Sequence, residues 1–174
     1  HPEGPQILRR LSELHRLEHR RSRSNAGAQI GLQLRLQWTG LARVRHDAAT
    51  DVIARGAVPG VLGGSQSVAF GAIRALAEKA PGFGILHIDA HADLRPGFEG
   101  FKWSHASVMH NVLEGPADVS SLLQVGVRDL CEQEYDVIQA DPRVRTLFGH
   151  ELAAARHGAG TRAMARAAVS SLPE

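Results

Sequence analysis

Asp89, His91 and Asp93 form an Asp-x-His-x-Asp cluster at the end of the apolar run Phe83 to Ile88. Residues just past the C-terminal end of a buried strand face the ligand crevice of an α/β sheet. If the backbone stays extended, side chains at alternate positions converge, and two carboxylates with one imidazole offer hard oxygens and a borderline nitrogen. That mixture suits Mn²⁺ better than a thiol-rich zinc site does. The alternative is a solvated loop with salt bridges, in which Arg95 pairs with Asp93. His87 shares the strand parity but lies deeper in the run, and is read as a hydrogen-bonded core histidine outside the site. His105 enters a helix within SHAS, where an imidazole could shuttle protons. His150 and His157 have no carboxylate at ligand spacing and read as surface residues; of Met109 and His110, one should face the core and the other solvent.

The elements that must position these groups read as βα units wound into a mainly parallel sheet. Expected strands are Val58 to Leu62, Phe83 to Asp89, Leu122 to Val127 and Val144 to Phe148. Expected helices are Ser67 to Lys79, with Val68, Ile73 and Leu76 on its apolar face, and segments near 105–114, 131–139 and 161–171. Upstream, residues 7–21 read as one helix, Ser22 to Gly31 as a small-residue linker and 41–55 as a second helix. Alanine is dense between 152 and 168, which helix propensity explains. The pair Gly63-Gly64 opens GGSQS, which lacks the spacing of a Walker loop or a dinucleotide fingerprint. It reads either as a tight turn near a ligand or as a helix start capped by Ser65 or Ser67. Arg128 and Asp129, at the tip of QVGVRD, could orient loops by pairing.

At 174 residues the chain fits one domain. Its 43% hydrophobic and 22% charged content is that of a soluble protein, with 5% aromatics leaving a core of Leu, Val, Ile and Ala. The net charge is only +2, although a sequence pI near 9.2 and the arginine-rich opening raise a weaker, nucleic-acid-binding reading. The N-terminal arginines alternate with Leu8, Leu11, Leu14 and Leu17 at helical spacing, which leaves them on a solvated face. A single cysteine, Cys131, excludes an internal disulfide, and no run reaches the roughly 18 apolar residues of a membrane span. The charged opening lacks the apolar stretch of a secretory signal, so a cytoplasmic location is expected.

Taken together, VLGGSQSVAFGAI, HIDAHADLRPGFEGFKWSHASVM and QVGVRD resemble the ureohydrolase (arginase and agmatinase) family in order and spacing. The loop LRPGFEGFKWSHAS looks more like the agmatinase branch. The likeness covers 58–150 as a family-like core, with 1–57 a weakly matched helical N-terminal part of one incomplete domain. It implies a three-layer α/β/α sandwich around a mainly parallel sheet, and a binuclear manganese centre that hydrolyses a guanidino C–N bond to urea and an amine. Asp89, His91 and Asp93 match the family's DAHxD ligands, and His105 its proton-relaying or substrate-binding histidine. Glu99 would favour a cationic substrate tail. A trimer or hexamer is implied, with a small guanidino compound as substrate.

Two departures stand out. Gln66 occupies the metal-binding histidine position of GGxHS, and an amide oxygen is a neutral, weaker ligand. The aspartates of the later SxDxDxxDP block do not occur before Glu174, so the C-terminal part of the sandwich is expected to be missing and the activity impaired. The alternative is a degenerate, non-catalytic member that serves as a binding or assembly module.

Overall fold

A computed structural model describes residues 27–115, 117–156 and 160–173. The expected helix over 7–21 lies outside them. The chain divides into two compact units, residues 1–43 and 44–174. Helix α1, Gly27–Ala54, runs through the division, so the linker expected up to Gly31 is helical from residue 27. An isolated helical glycine costs only about 1 kcal/mol, and Gln, Leu and Arg on either side favour the helix.

The second unit is built on three parallel strands in the order β1-β2-β3: β1 Phe83–Ile88, β2 Val119–Val127 and β3 Val144–Phe148. Around them lie α2 (Ala69–Lys79), α3 (Val108–Leu113), α4 (Glu132–Ala140), α5 (Gly149–Ala155) and α6 (Thr161–Val169). Short 3₁₀ turns, Gln66–Val68 and His105–Ser107, lead into α2 and α3. Strand alternation sends side chains to opposite faces. On one face Ile85, Leu122 and Val144 pack with Val108, Met109, Leu113 and Ile138. On the other, Leu123, Val125 and Leu147 pack with Met164, Ala168 and Leu172. Helices thus cover both faces, and the second unit is a three-layer α/β arrangement.

Several expectations change. Val58 to Leu62 is not a strand; Val58 is 93% exposed and Leu62 fully so. The run reads Val-Pro-Gly-Val-Leu: Pro59 has no N–H to give to a ladder and Gly60 has no side chain to pack, and among the described residues no strand pairs with it. In α2 the buried positions include Phe70, Gly71 and Ala75, while Leu76 is exposed. Ser67, Gly71 and Ala75 recur at helical spacing, and beside them the buried Phe70 ring meets Trp103 at 4.9 Å between centroids. Helix α5 was covered only by the alanine-rich stretch. Met109 is buried and His110 half-buried, as their adjacency on a helix requires.

Gly126 shapes the end of β2 above the site. Its φ is +95°, the ladder slips between Val125 and Val127, and a Cβ there would stand 3.3 Å from the Asp89 carbonyl. This bulge turns Val127, rather than residue 126, into the core. Gly126→Ala is expected to cost about 1–3 kcal/mol, measured by urea unfolding. Gly82→Ala is the control, since its φ is also positive but its surroundings are open. Equal costs at the two positions would show that the approach to Asp89 is unimportant.

Candidate metal centre

The expected cluster does not form by extended-strand geometry. β1 ends at Ile88, and Asp93 has a φ of +54°, a left-handed turn that short polar side chains tolerate. The Asp93 carbonyl accepts the N–H groups of Met109 and His110, which anchors the turn on the start of α3. Asp89 and Asp93 therefore meet across a turn, and His91 lies on the exposed side of Asp89. The His91 side chain is 60% exposed, with Nδ1 3.2 Å from Asp89 Oδ1 and Nε2 3.8 Å from Asp129 Oδ2. His87 is what joins the aspartates: one ligand-type atom each from His87, Asp89 and Asp93 lies within 4.8 Å of the others.

His87 is buried, and it belongs to a polar row that crosses the sheet. In the strand register His87 stands beside Gln124, and Gln124 beside Thr146. The Thr146 hydroxyl donates to Gln124 Oε1 (3.1 Å), and Gln124 Nε2 donates to the Ala92 carbonyl (2.6 Å) and to His87 Nδ1 (3.1 Å). With Nδ1 accepting, the ring proton of neutral His87 sits on Nε2. Burial lowers the His87 pKa against the pull of Asp89, which agrees with a neutral ring.

Gln66 closes the row. The two ends of its amide are told apart by hydrogen bonding, not by shape. With the nitrogen toward the aspartates it donates to Asp89 Oδ2 (2.9 Å) and Asp93 Oδ2 (2.7 Å), while Oε1 accepts from His87 Nε2 (2.6 Å). The opposite placement sets three oxygens against one another, so the first is the orientation that hydrogen bonding favours. Burial, with the charge of Asp89 adding to it, pushes Asp93 up to about 7. Desolvation also opposes ionisation of Asp89, but the backbone N–H and the ring of His91 outweigh it and hold this carboxyl below its usual range.

The remaining candidates lie around this centre. Phe98 and Phe101 exchange backbone hydrogen bonds across a tight turn in which Glu99 (φ +51°) and Gly100 (φ +82°) are both left-handed, the type I′ pattern. Glu99 is exposed at its tip. His105 is also exposed, with its ring edge-on to Phe98 at 5.6 Å between centroids. Ser65 takes the cap position of the first 3₁₀ turn without a capping bond; its hydroxyl pairs with that of Ser67 at 2.9 Å. Arg95 pairs with Glu134 rather than with Asp93, and Arg128 bonds the Gly126 carbonyl rather than Asp129. His150 is exposed and stacks on Phe148, and His157 lies outside the described residues.

Three further residues organise this region. His87 is the hydrogen-bonded core histidine that its place in the strand suggests, and it also lies against the two aspartates. Gln124 is a fully buried amide in an apolar strand, a pattern that by itself demands partners. Glu134 stands at the third position of α4 after Cys131, the spacing of a helix-capping carboxylate.

The donor set is chemically suited to a hard divalent cation: two carboxylates converge at the C-terminal end of a parallel strand, with an amide beside them. Fold and site define a three-layer α/β protein with an acidic candidate metal centre in the strand-end crevice. The chain belongs to the arginase family, whose model matches residues 3–171. Arginase 1, mitochondrial, of Arabidopsis thaliana is 45% identical over 76 residues, 43% of this chain and 22% of that protein. An agmatinase of Bacillus anthracis is 36% identical over 83 residues, 47% of this chain and 28% of that protein. The solved arginase from Medicago truncatula aligns with a TM-score of 0.62 at 34% identity, covering 68% of this chain and 37% of that one. The chain thus matches well under half the length of these relatives. Among its described residues no helix is long and apolar enough to cross a membrane.

Proposed function

We propose that this chain forms part of a manganese-dependent ureohydrolase that cleaves a guanidino C–N bond of an agmatine-like or arginine-like substrate, releasing urea and an amine. The observation that carries the reading is the convergence of Asp89 and Asp93 at the end of β1 in a member of this family. Both carboxylates would hold the cation, with His91 on the solvent side of Asp89. When bound, manganese would make water acidic enough to serve as a nucleophile at neutral pH.

The chain's own groups take the other roles. Asp89, ionised and bonded to the His91 backbone N–H, keeps a negative charge at the strand end. His105, exposed beside Phe98, can give a proton to the departing amine nitrogen. Glu99, at the tip of its turn, offers a carboxylate to a cationic substrate tail. A cytoplasmic location and a trimeric or hexameric assembly complete the proposal, with no nucleic-acid partner.

The test is urea release from agmatine and from arginine by the purified chain in MnCl₂. Slow, Mn²⁺-dependent urea formation is expected, falling on the order of a hundredfold in Asp93→Ala and by a similar factor in His105→Ala. A folded chain that binds Mn²⁺ yet releases no urea from either substrate would instead favour the non-catalytic binding or assembly module. The presence of Gln66 at the histidine position supports that second reading.

A further inference from the structure

Gln66 brings the positive ends of two N–H bonds to the point where Asp89 Oδ2 and Asp93 Oδ2 converge, at 2.9 and 2.7 Å. Its orientation is imposed from behind. The Ala92 carbonyl requires an N–H from Gln124, so Gln124 also faces His87 with its nitrogen. His87 must then carry its proton on Nε2, and that proton is donated to Gln66 Oε1. A row of hydrogen bonds from Thr146 to the aspartates therefore has one consistent direction, and it ends with two protons aimed at two carboxylates. Imidazole at position 66 would have a lone pair for a cation; the outward end of this amide has none.

We propose that Gln66 is a built-in substitute for the cation: its amide N–H groups bridge Asp89 and Asp93 in the cation-free chain, and a divalent cation binds only by displacing them. The inference rests on reading Asp89 and Asp93 as the cation site. Gln66 then lowers metal affinity rather than contributing to it, and the fold of this region does not depend on metal.

Gln66→Met and Gln66→His test this by thermal melting in EDTA and in MnCl₂ and by calorimetric titration with Mn²⁺. Methionine keeps the length of the side chain and removes both donors. The wild-type chain should melt at nearly the same temperature in the two buffers. Gln66→Met should melt about 5 °C lower in EDTA, from the loss of hydrogen bonds to charged groups, and recover in MnCl₂. Both variants should bind Mn²⁺ at least tenfold more tightly than wild type. Weaker Mn²⁺ binding by Gln66→Met than by wild type would make Gln66 a ligand and overturn the proposal, as would unchanged melting in EDTA.

If Gln66→Met does not fold, nuclear magnetic resonance of wild type decides. The Gln66 side-chain NH₂ signals should be shifted and slow to exchange in EDTA, and should move on addition of Mg²⁺. Signals at the positions of a free, solvated amide in EDTA would overturn the assignment. Urea formation enters none of these readouts, so a chain without turnover still decides the role of Gln66.

Discussion

Replacing Glu134 with alanine is expected to destabilise the chain by about 3 kcal/mol, read as a lower urea midpoint with little change in slope. This carboxylate is 2% exposed and ties the loop after β1 to the start of α4. Oε1 accepts from the Leu94 N–H (3.1 Å), and Oε2 from the Cys131 N–H (2.9 Å) and Arg95 Nε (3.2 Å). Leu94 is fully buried, so its backbone donor has no ready access to water after truncation. Leaving buried donors unpaired costs more than a hydrogen bond contributes when formed. Arg95 is a third exposed, which places the cost at the low end of the range for a broken buried ion pair. Because both oxygens accept, Glu134→Gln should recover little: one end of the amide would present N–H to N–H. A glutamine variant as stable as wild type would show that only one of the oxygens matters.

The second large effect is expected at Gln124. Gln124→Leu keeps the volume but removes the donor to the Ala92 carbonyl and to His87 Nδ1, and the acceptor of the Thr146 hydroxyl. Three polar groups then lose partners around a position with no solvent exposure. A loss of about 3 kcal/mol follows, roughly a hundredfold in the folding equilibrium. A structural readout separates this from simple repacking: imidazole nitrogen shifts should report the proton of His87 on Nε2 in wild type and a mixture of tautomers in the leucine variant. An unchanged tautomer would show that Gln124 does not orient the ring. Glu134 supports the loop bearing Asp93 from the α4 side, and Gln124 supports the site from beneath, so both variants should loosen the same pair of aspartates.

Much of the scaffold was legible from local pattern. The apolar run at Phe83 to Ile88, the mostly apolar run Leu122 to Val127 and the short Val144 to Phe148 segment became β1, β2 and β3 because each found a parallel neighbour. Val58 to Leu62 pairs with no strand, and its own sequence carries the reason: Pro59 lacks a ladder donor and Gly60 lacks a side chain to pack, which outweigh the apolar residues around them. The direction of α2's buried face was less legible because Gly71 and Ala75, both buried, contribute little to an apolar pattern.

At the candidate site the residue types pointed to carboxylate-rich chemistry, and the motif order pointed to the family that the whole-chain match then showed. Spacing misjudged which groups meet. Alternation along a strand would have gathered Asp89, His91 and Asp93, but the strand stops at Ile88 and the left-handed turn at Asp93 brings that carboxyl back toward His87.

By itself, then, the sequence determined the elements whose signals are local: the parallel strands that paired, their helices, and an acidic motif placed at a strand end. Only the tertiary structure decided the partners: His87 and Gln66 with the aspartates, Gln124 beneath them, and Glu134 with Leu94 and Arg95. The physical reason is that a hydrogen bond depends on the direction of donor and lone pair within a few tenths of an ångström, and residues far apart in the chain acquire that geometry only when the sheet register and the loops that bring them together have formed.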